Sequence, residues 1–342
     1  MKRQSSLSLV HRPTPADIEQ LRQMTRAARL HHIQGARQTE IAEKMGISQA
    51  GVSRLLRMAE EHGIIRSIIV PPEGLYPDLE ESLVDSYGLD AAYVVDLDPV
   101  EDSVSQVLGA AAARCLSGAL QGADVVGFTS WSTTLREMAR LMEPVTGSGV
   151  KYVVETLGDL GSPMLQHEAD VATLQMAKSL RAEAVFLRAP GVMPSAALRD
   201  AALADVHVQR ALKLLDKASV VLVGLGPADF HGPLEENDNF FTASQLAAER
   251  KAGAAGQLHQ RFIDRDGKPM RTPLGELVIG ISLEQLRKAR RRIAVAGGPA
   301  KHAALAAALA GRWIDVLVTD VGSANMLLAG AAAPARQMKG KL

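Results

Sequence analysis

Residues 293–320 read IAVAGGPAKHAALAAALAGRWIDVLVTD, and this stretch decides the fold. Ile293 to Ala296 is a short, continuous apolar run. Residues 299–309 carry helix-forming alanine and leucine, and residues 316–319 form a second β-type run. Strand, helix and strand in succession are the unit of a parallel sheet, and strands this uniformly apolar belong to a sheet covered on both faces.

The same alternation continues toward the N-terminus. Further strands are expected at 125–128, 152–156, 184–187, 220–223 and 277–281, with a strand-like AAYVVDL inside 88–96. Helices are expected at 103–120, 134–142, 168–180, 206–216, 283–288 and 323–328. The architecture read from this pattern is α/β and Rossmann-like, over 81–332. Pro71, Pro72, Gly74 and Pro77 interrupt the pattern and mark a linker over 71–80, with a short amphipathic helix at 78–87.

Before the linker the character changes. Residues 1–14 are polar, with Pro13 and Pro15 at their end, and read as a flexible arm. Over 15–70, apolar residues recur at helical spacing in three segments. The first, 16–34, carries Ile18, Leu21, Met24, Thr25, Ala28 and Ile33; the second is 38–44; the third is 49–62. Gly46 suits the left-handed turn between the second and third, Ile47 is expected to plug the space between them, and Ser48 is a natural N-cap. Val52, Leu55, Leu56 and Ala59 then face inward, which leaves Gln49, Ala50, Ser53, Arg54 and Arg57 on the outer face. Gln49 and Ser53 can bond base edges, Arg54 can read a guanine or a phosphate, Arg57 lies one turn further on, and Thr39 and Ser48 suit phosphate contacts. Residues 63–70, with IIRSIIV, read as a β-wing carrying Arg66. A three-helix packing unit with a basic solvated face would show the same spacing. The turn pattern EKMGISQAGVSRLL and the local charge favour DNA.

Composition supports that division. The 342 residues are 47% hydrophobic and 22% charged, which suits globular domains, and two of them at this length. The net charge is zero, yet residues 1–70 hold 11 basic against 6 acidic side chains and the rest 27 against 32. Polyanion binding is therefore expected at the N-terminal end alone. No run approaches a membrane span and the start lacks a signal-peptide core, so a cytoplasmic protein is expected. Cys115 is the one cysteine, no zinc-ligand spacing occurs, and no metal or cofactor is expected.

In a doubly wound sheet, ligands bind beyond the C-terminal strand ends. Three loops there draw notice. GFTSWSTTL, 127–135, leads through hydroxyl residues into a helix and suits a phosphate, although a plain N-cap explains it as well. VGLGPADF, 223–230, permits close backbone approach but lacks the third glycine of a dinucleotide fingerprint. AVAGGPAK puts Lys301 in the first turn of a helix, where a cation is unfavourable unless an anion neutralises it; a solvated lysine is the alternative. The histidines at 167, 207, 231, 259 and 302 are scattered and read as surface or loop residues.

With these pieces in order, from about residue 20 to residue 330, the chain resembles the SorC family of bacterial sugar-responsive regulators. The resemblance rests on QTEIAEKMGISQAGVSRLLRMAEEHGII, GFTSWSTTL, VVLVGLG, AGAAGQLHQRFIDRDG and the 293–320 stretch, taken together. It implies a winged helix-turn-helix joined to a Rossmann-like sugar-binding domain similar to glucosamine-6-phosphate deaminase and ribose-5-phosphate isomerase. It also implies a homotetramer, operator DNA as partner, and a sugar, polyol or sugar phosphate as effector. By the same resemblance, Ser132, Thr133, Thr134 and Lys301 match effector-phosphate contacts, and Gln257 matches an acidic position that holds the sugar. Asp159 and Glu168 lie in the loop and helix over the pocket. The family commonly has Gly and Arg where this chain has Ser132 and Thr133, and an acid at Gln257, which leaves the ligand's identity open. Two other functions compete. A sugar-phosphate isomerase or deaminase would need a base, for which Asp264, Asp229 and Lys301 are available, but it has no use for the basic module. An architectural DNA binder leaves the large domain unexplained.

Overall fold

The computed structural model describes residues 15–65, 71–98, 103–120, 122–229 and 240–331. The chain divides into two compact units, Met1–Val70 and Pro71–Leu342.

The first unit contains α1 (Pro15–Ala28), α2 (Gln38–Met45) and α3 (Gln49–Glu61). The expected first helix, 16–34, is interrupted: regular turns stop at Ala28 and a wider π turn follows over Arg29–Ile33. Gly46 adopts φ 66°, ψ 32° and ends α2, its N–H donating to Ala42 and Glu43 carbonyls. The Ser48 hydroxyl accepts from Gly51 N at 3.1 Å and starts α3. Met24, Ala27, Ile41, Val52, Leu56 and Ala59 close the small core. Several expectations fail here. Ile47 does not plug the inter-helix space but is a third exposed, and on the expected apolar stripe Ile18, Thr25 and Ile33 are exposed, Ile33 at 70% within the π turn. The expected wing strand and Arg66 fall at 66–70, outside the described residues; 63–65 is turn and bend.

The second unit is built on a seven-stranded parallel sheet. Its strands are β1 (Ala91–Val95), β2 (Val125–Phe128), β3 (Tyr152–Glu155), β4 (Glu183–Val185), β5 (Val220–Leu222), β9 (Arg291–Val295) and β10 (Val316–Asp320), in the order β1-β10-β9-β5-β2-β3-β4. Between β5 and β9 the chain makes a separate antiparallel sheet of β6 (Leu225–Pro227), β7 (Ala254–Leu258) and β8 (Arg261–Asp264). The helices are α4 (Pro77–Tyr87), α5 (Val104–Cys115), α6 (Thr133–Leu141), α7 (Pro163–Leu180), α8 (Ala196–Leu203), α9 (Val206–Leu215), α10 (Ala243–Lys251), α11 (Leu283–Lys288), α12 (His302–Ala310) and α13 (Val321–Ala331). The helix α4 starts at Pro77, which shortens the linker expected over 71–80.

Alternation along each strand sends side chains to two separate cores. Val125, Val154, Val221, Ala294 and Leu317 pack with Leu83, Val208, Ala211, Leu286, Leu305 and Leu327 of α4, α9, α11, α12 and α13. Val126, Val153, Val220, Leu222, Ile293 and Val318 pack against Leu108, Leu135, Met138 and Met176 of α5, α6 and α7. A third cluster, with Phe241, Leu246, Phe262, Leu157, Leu160 and Trp131 at its edge, seats the antiparallel sheet.

The expected strand 277–281 is absent. A 3₁₀ turn, Gly275–Leu277, leads into irregular chain held by two isolated bridges, Val192 to Val278 and Leu157 to Gly280. Its backbone bonds go to the chain at 156–158 and 191–193, and the carbonyls of Gly280 and Ile281, with that of Gly275, accept from the Arg261 side chain.

Candidate functional site

The chain runs outward from β2 through β3 to β4, then returns to the other side of β2 and runs from β5 through β9 to β10. The reversal lies between β2 and β5, the point beyond whose C-terminal strand ends such a sheet is expected to hold its ligand crevice. The residues there are Thr129, which follows β2, and Gly224, two residues after β5. A Cβ at Gly224 would lie 2.7 Å from Thr129 Cγ2, so only glycine allows this approach.

Three of the expected ligand residues lie on one wall. The Ser132 N–H donates to Thr129 O at 3.2 Å, and the Ser132 hydroxyl accepts from Leu135 N at 3.3 Å as the N-cap of α6. Thr133 is exposed and Thr134 is buried; both hydroxyls meet Ser105 of α5, at 3.2 and 3.5 Å. The first turn of α5 links this wall to the loop before Lys301. A Cβ on Gly298 would touch Val104 at 3.3 Å, and one on Gly297 would meet Leu108 at 3.0 Å. The start of α5 therefore lies between the 132–134 loop and the 297–301 loop.

Lys301 ends a 3₁₀ turn, Pro299–Lys301, and stands at the N-cap of α12. Burial of its amine pushes the pKa below the ordinary lysine value. The loop that carries it is fixed from below. Gly298 N donates to Asp320 Oδ2 at 2.8 Å and to Ser323 Oγ at 3.0 Å, and Ser323 Oγ donates to Asp320 Oδ2 at 2.6 Å. Despite its burial, Asp320 keeps a pKa below the usual carboxylate range through these hydrogen bonds. His302 Nε2 lies 3.1 Å from Ser323 Oγ and completes the network.

Gln257 is buried on β7, its Nε2 donating to Pro227 O at 3.0 Å while Oε1 has no partner. The strand is close to the helix of Lys301: a Cβ on Gly256 would meet Ala304 Cα at 2.7 Å.

Asp159 and Glu168 are engaged elsewhere. Glu168 is exposed on α7 and pairs with Arg136 of α6 at 3.3 Å, so its carboxylate serves a helix-helix contact. Asp159, half-buried, lies 3.8 Å from Arg188, which makes a bidentate pair with Asp170. Burial raises the Asp159 pKa to about 6 against the pull of Arg188. Glu155, at the end of β3, is raised to about 7 by burial. It accepts from Ser130 Oγ, Thr173 Oγ1 and Leu187 N, so this cluster braces the start of the 129–134 loop.

His259, read as a surface or loop residue, lies in a turn but is 2% exposed. It occupies the tip of the β7–β8 hairpin with Gln260, at φ 48° and 65°. Its N–H donates to Gly224 O and its Nδ1 lies 3.3 Å from Thr129 Oγ1. Burial, with Arg261 nearby, lowers its pKa to about 3. The turn itself, His259-Gln260, carries neither Asn-Gly nor Asp-Gly, the usual signal of a two-residue hairpin, so nothing at that position marks the histidine as interior. His302 is half-buried, and His231 lies outside the described residues.

In the first unit, Thr39, Ser48, Gln49, Ala50, Ser53, Arg54 and Arg57 are all exposed, on α2, on α3 and at its cap. Arg57 approaches Glu61 at 3.7 Å. Among the described residues no group of acids, histidines and cysteine could hold a metal, and no helix is long and apolar enough to cross a membrane.

The sequence of 74–329 matches the family described as "Putative sugar-binding domain". The deoxyribonucleoside regulator of Bacillus subtilis is 29% identical over 91% of this chain and 99% of its own length. The sorbitol operon regulator of Klebsiella pneumoniae is 28% identical over 91% and 98%. The crystal structure of full-length SorC from Klebsiella pneumoniae superposes with a TM-score of 0.68 at 26% identity, covering 91% of this chain and 99% of that one. A sugar-binding domain over most of the chain and end-to-end likeness to sugar and polyol operon regulators give one conclusion: the chain belongs to the SorC family of sugar-responsive transcriptional regulators.

Proposed function

We propose that this regulator binds operator DNA through a winged helix-turn-helix in its first unit, and that a phosphorylated sugar or polyol in the crevice controls that binding. The observation that carries the proposal is that the start of α5 touches both the Thr133–Thr134 start of α6 and the Gly297–Gly298 loop that leads to Lys301. We read the two loops as a phosphate cradle, made of the helix start at Ser132, the hydroxyls of Thr133 and Thr134, and the Lys301 amine. Hydroxyls and helix N–H groups with one cation suit a phosphate better than a neutral hydroxyl. Gln257 supplies an acceptor for the sugar, and the Asp159 cluster holds the loop beside it.

The outer face of α3 is the recognition surface. Gln49, Ser53 and Arg54 address base edges, while Thr39, Ser48 and Arg57 address phosphates. A homotetramer, cytoplasmic and carrying two pairs of such helices, fits the two-fold symmetry of operators. Of the three bases open to the isomerase reading, the two aspartates are engaged and only Lys301 is left. Asp264 Oδ1 accepts from Asp266 N and Lys268 N in a tight turn, and Asp229 pairs with Arg250 at the surface at 2.7 Å.

The test is a thermal-shift screen of sugars, polyols and their phosphates. Phosphorylated members should stabilise the protein, as any ligand selective for the native state does, and their unphosphorylated counterparts should do so far less. Equal shifts from both sets would remove the cradle from the account.

A further inference from the structure

The hairpin β7–β8 turns through just two residues, with Leu258 paired to Arg261. Both turn residues have positive φ, a conformation that glycine adopts freely and that His and Gln adopt at a cost. Side chains retained at such positions are there to be used, and strain of this kind gathers at functional sites.

The imidazole of His259 is oriented by Thr129. Thr129 Oγ1 donates its one proton to Leu222 O at 2.8 Å and lies 2.8 Å from Thr156 Oγ1, which also reaches Phe128 O at 3.3 Å. The contact to His259 Nδ1 at 3.3 Å then needs its proton from the ring. Nδ1 carries the hydrogen and Nε2 is left as an acceptor. It is buried and has no partner, as are Oε1 of Gln257 and Oε1 of Gln260 on the same hairpin. Buried acceptors left unpaired are costly, so a donor is expected at His259 Nε2. The phosphate cradle lies three residues along the same loop, tied by the Ser132 N–H to Thr129 O. Arg261 is the charged group next to the ring, and its guanidinium is turned toward the carbonyls of Gly275, Gly280 and Ile281.

We propose that His259 is a specificity-determining residue of the crevice. Its Nε2 accepts a hydrogen bond from a ligand hydroxyl, so the site takes a phosphorylated polyol or aldose and rejects a phosphorylated sugar acid. The inference rests on the reading of the crevice as a sugar-phosphate site. A carboxylate brings only acceptors to the His259 Nε2 acceptor, whereas a hydroxyl satisfies it; sites that bond a hydroxyl discriminate strongly against ligands that cannot supply it.

The test is calorimetric titration of the full-length protein with inorganic phosphate and with matched alditol and aldonate phosphates of four, five and six carbons. Wild type should bind its best alditol phosphate at least about tenfold tighter than the matching aldonate. His259→Asn suits the positive φ and still reaches Thr129 but not the Nε2 position. It should lose about tenfold for that alditol phosphate and keep its affinity for inorganic phosphate. His259→Gln places an amide near the lost Nε2 and should restore most of the binding. Equal binding of the matched pair by wild type, or an undiminished His259→Asn with a native melting curve, overturns the inference alone. If His259→Asn fails to fold, the wild-type pair and His259→Gln still decide it. Wild type that binds no phosphorylated compound overturns the sugar-phosphate reading and this inference together.

Discussion

Replacing Lys301 with Met should move stability and ligand affinity in opposite directions. Partial burial lowers the lysine's pKa, so in the free protein the half-buried cation carries a desolvation penalty. Methionine keeps the length and the apolar contacts of the side chain and removes the charge. The unliganded variant should therefore melt higher, by about 2 °C for each kcal/mol recovered in a domain of this size. A hydrogen bond from a charged donor to phosphate is worth roughly 1.5–3 kcal/mol, so affinity for the best phosphorylated ligand should fall about ten- to a hundredfold. Differential scanning fluorimetry and calorimetric titration measure the two effects on the same preparations. A variant that melts no higher and binds that ligand as wild type does would return Lys301 to a solvated lysine and refute the cradle.

Four further outcomes are expected. Arg54→Ala or Gln49→Ala should weaken operator binding by about 1–3 kcal/mol in a footprinting titration, with circular dichroism unchanged. Operator affinity of the wild type should fall steeply between low and moderate salt, as counterion release requires; a flat salt titration would count against the basic first unit. Gly109→Ala should destabilise by about 1–3 kcal/mol and weaken ligand binding, because its Cβ would lie 2.6 Å from Glu137 Cβ and 2.9 Å from Thr134 O, forcing α5 off α6; a denaturant melt and the same calorimetry check both. Glu155 has a folded pKa of about 7, above its unfolded value, so the folded state holds the proton longer and stability should fall as pH rises from about 4.5 to 7, by about 3 kcal/mol at most. Glu155→Gln can still accept from Leu187 N and should flatten that slope in melts across the pH range.

The parallel sheet was legible because its strands are continuous apolar runs between helices with one apolar stripe each. Gly46 and Ser48 carried the turn between α2 and α3. What stayed hidden depends on long-range partners. Residues 277–281 look like a strand by composition, but their backbone bonds are divided between 156–158 and 191–193, with Arg261 on the carbonyls of Gly280 and Ile281. The small sheet escaped because its hairpin turns on His259 and Gln260, held at positive φ by packing against Gly224 and Thr129. Glu168 matches a family position over the pocket, yet Arg136 sits one turn into α6 and takes its carboxylate. Among the candidate ligand residues, Ser132, Thr133, Thr134 and Lys301 could be named from motifs, and Gln257 from the family resemblance. Thr129, Thr156, His259 and the Asp320–Ser323 support of Gly298 required the topology.

The central claim is that a phosphorylated ligand in the crevice sets DNA affinity, and fluorescence anisotropy of labelled operator DNA tests it most directly. Titrated with full-length protein in the presence and absence of the phosphorylated compound that gives the largest thermal shift, the operator should show a Kd changed by roughly five- to 150-fold, the range of allosteric coupling. In Lys301→Met the same concentration should leave the Kd where it was. A wild-type Kd that does not move at a ligand concentration saturating the crevice would contradict the account.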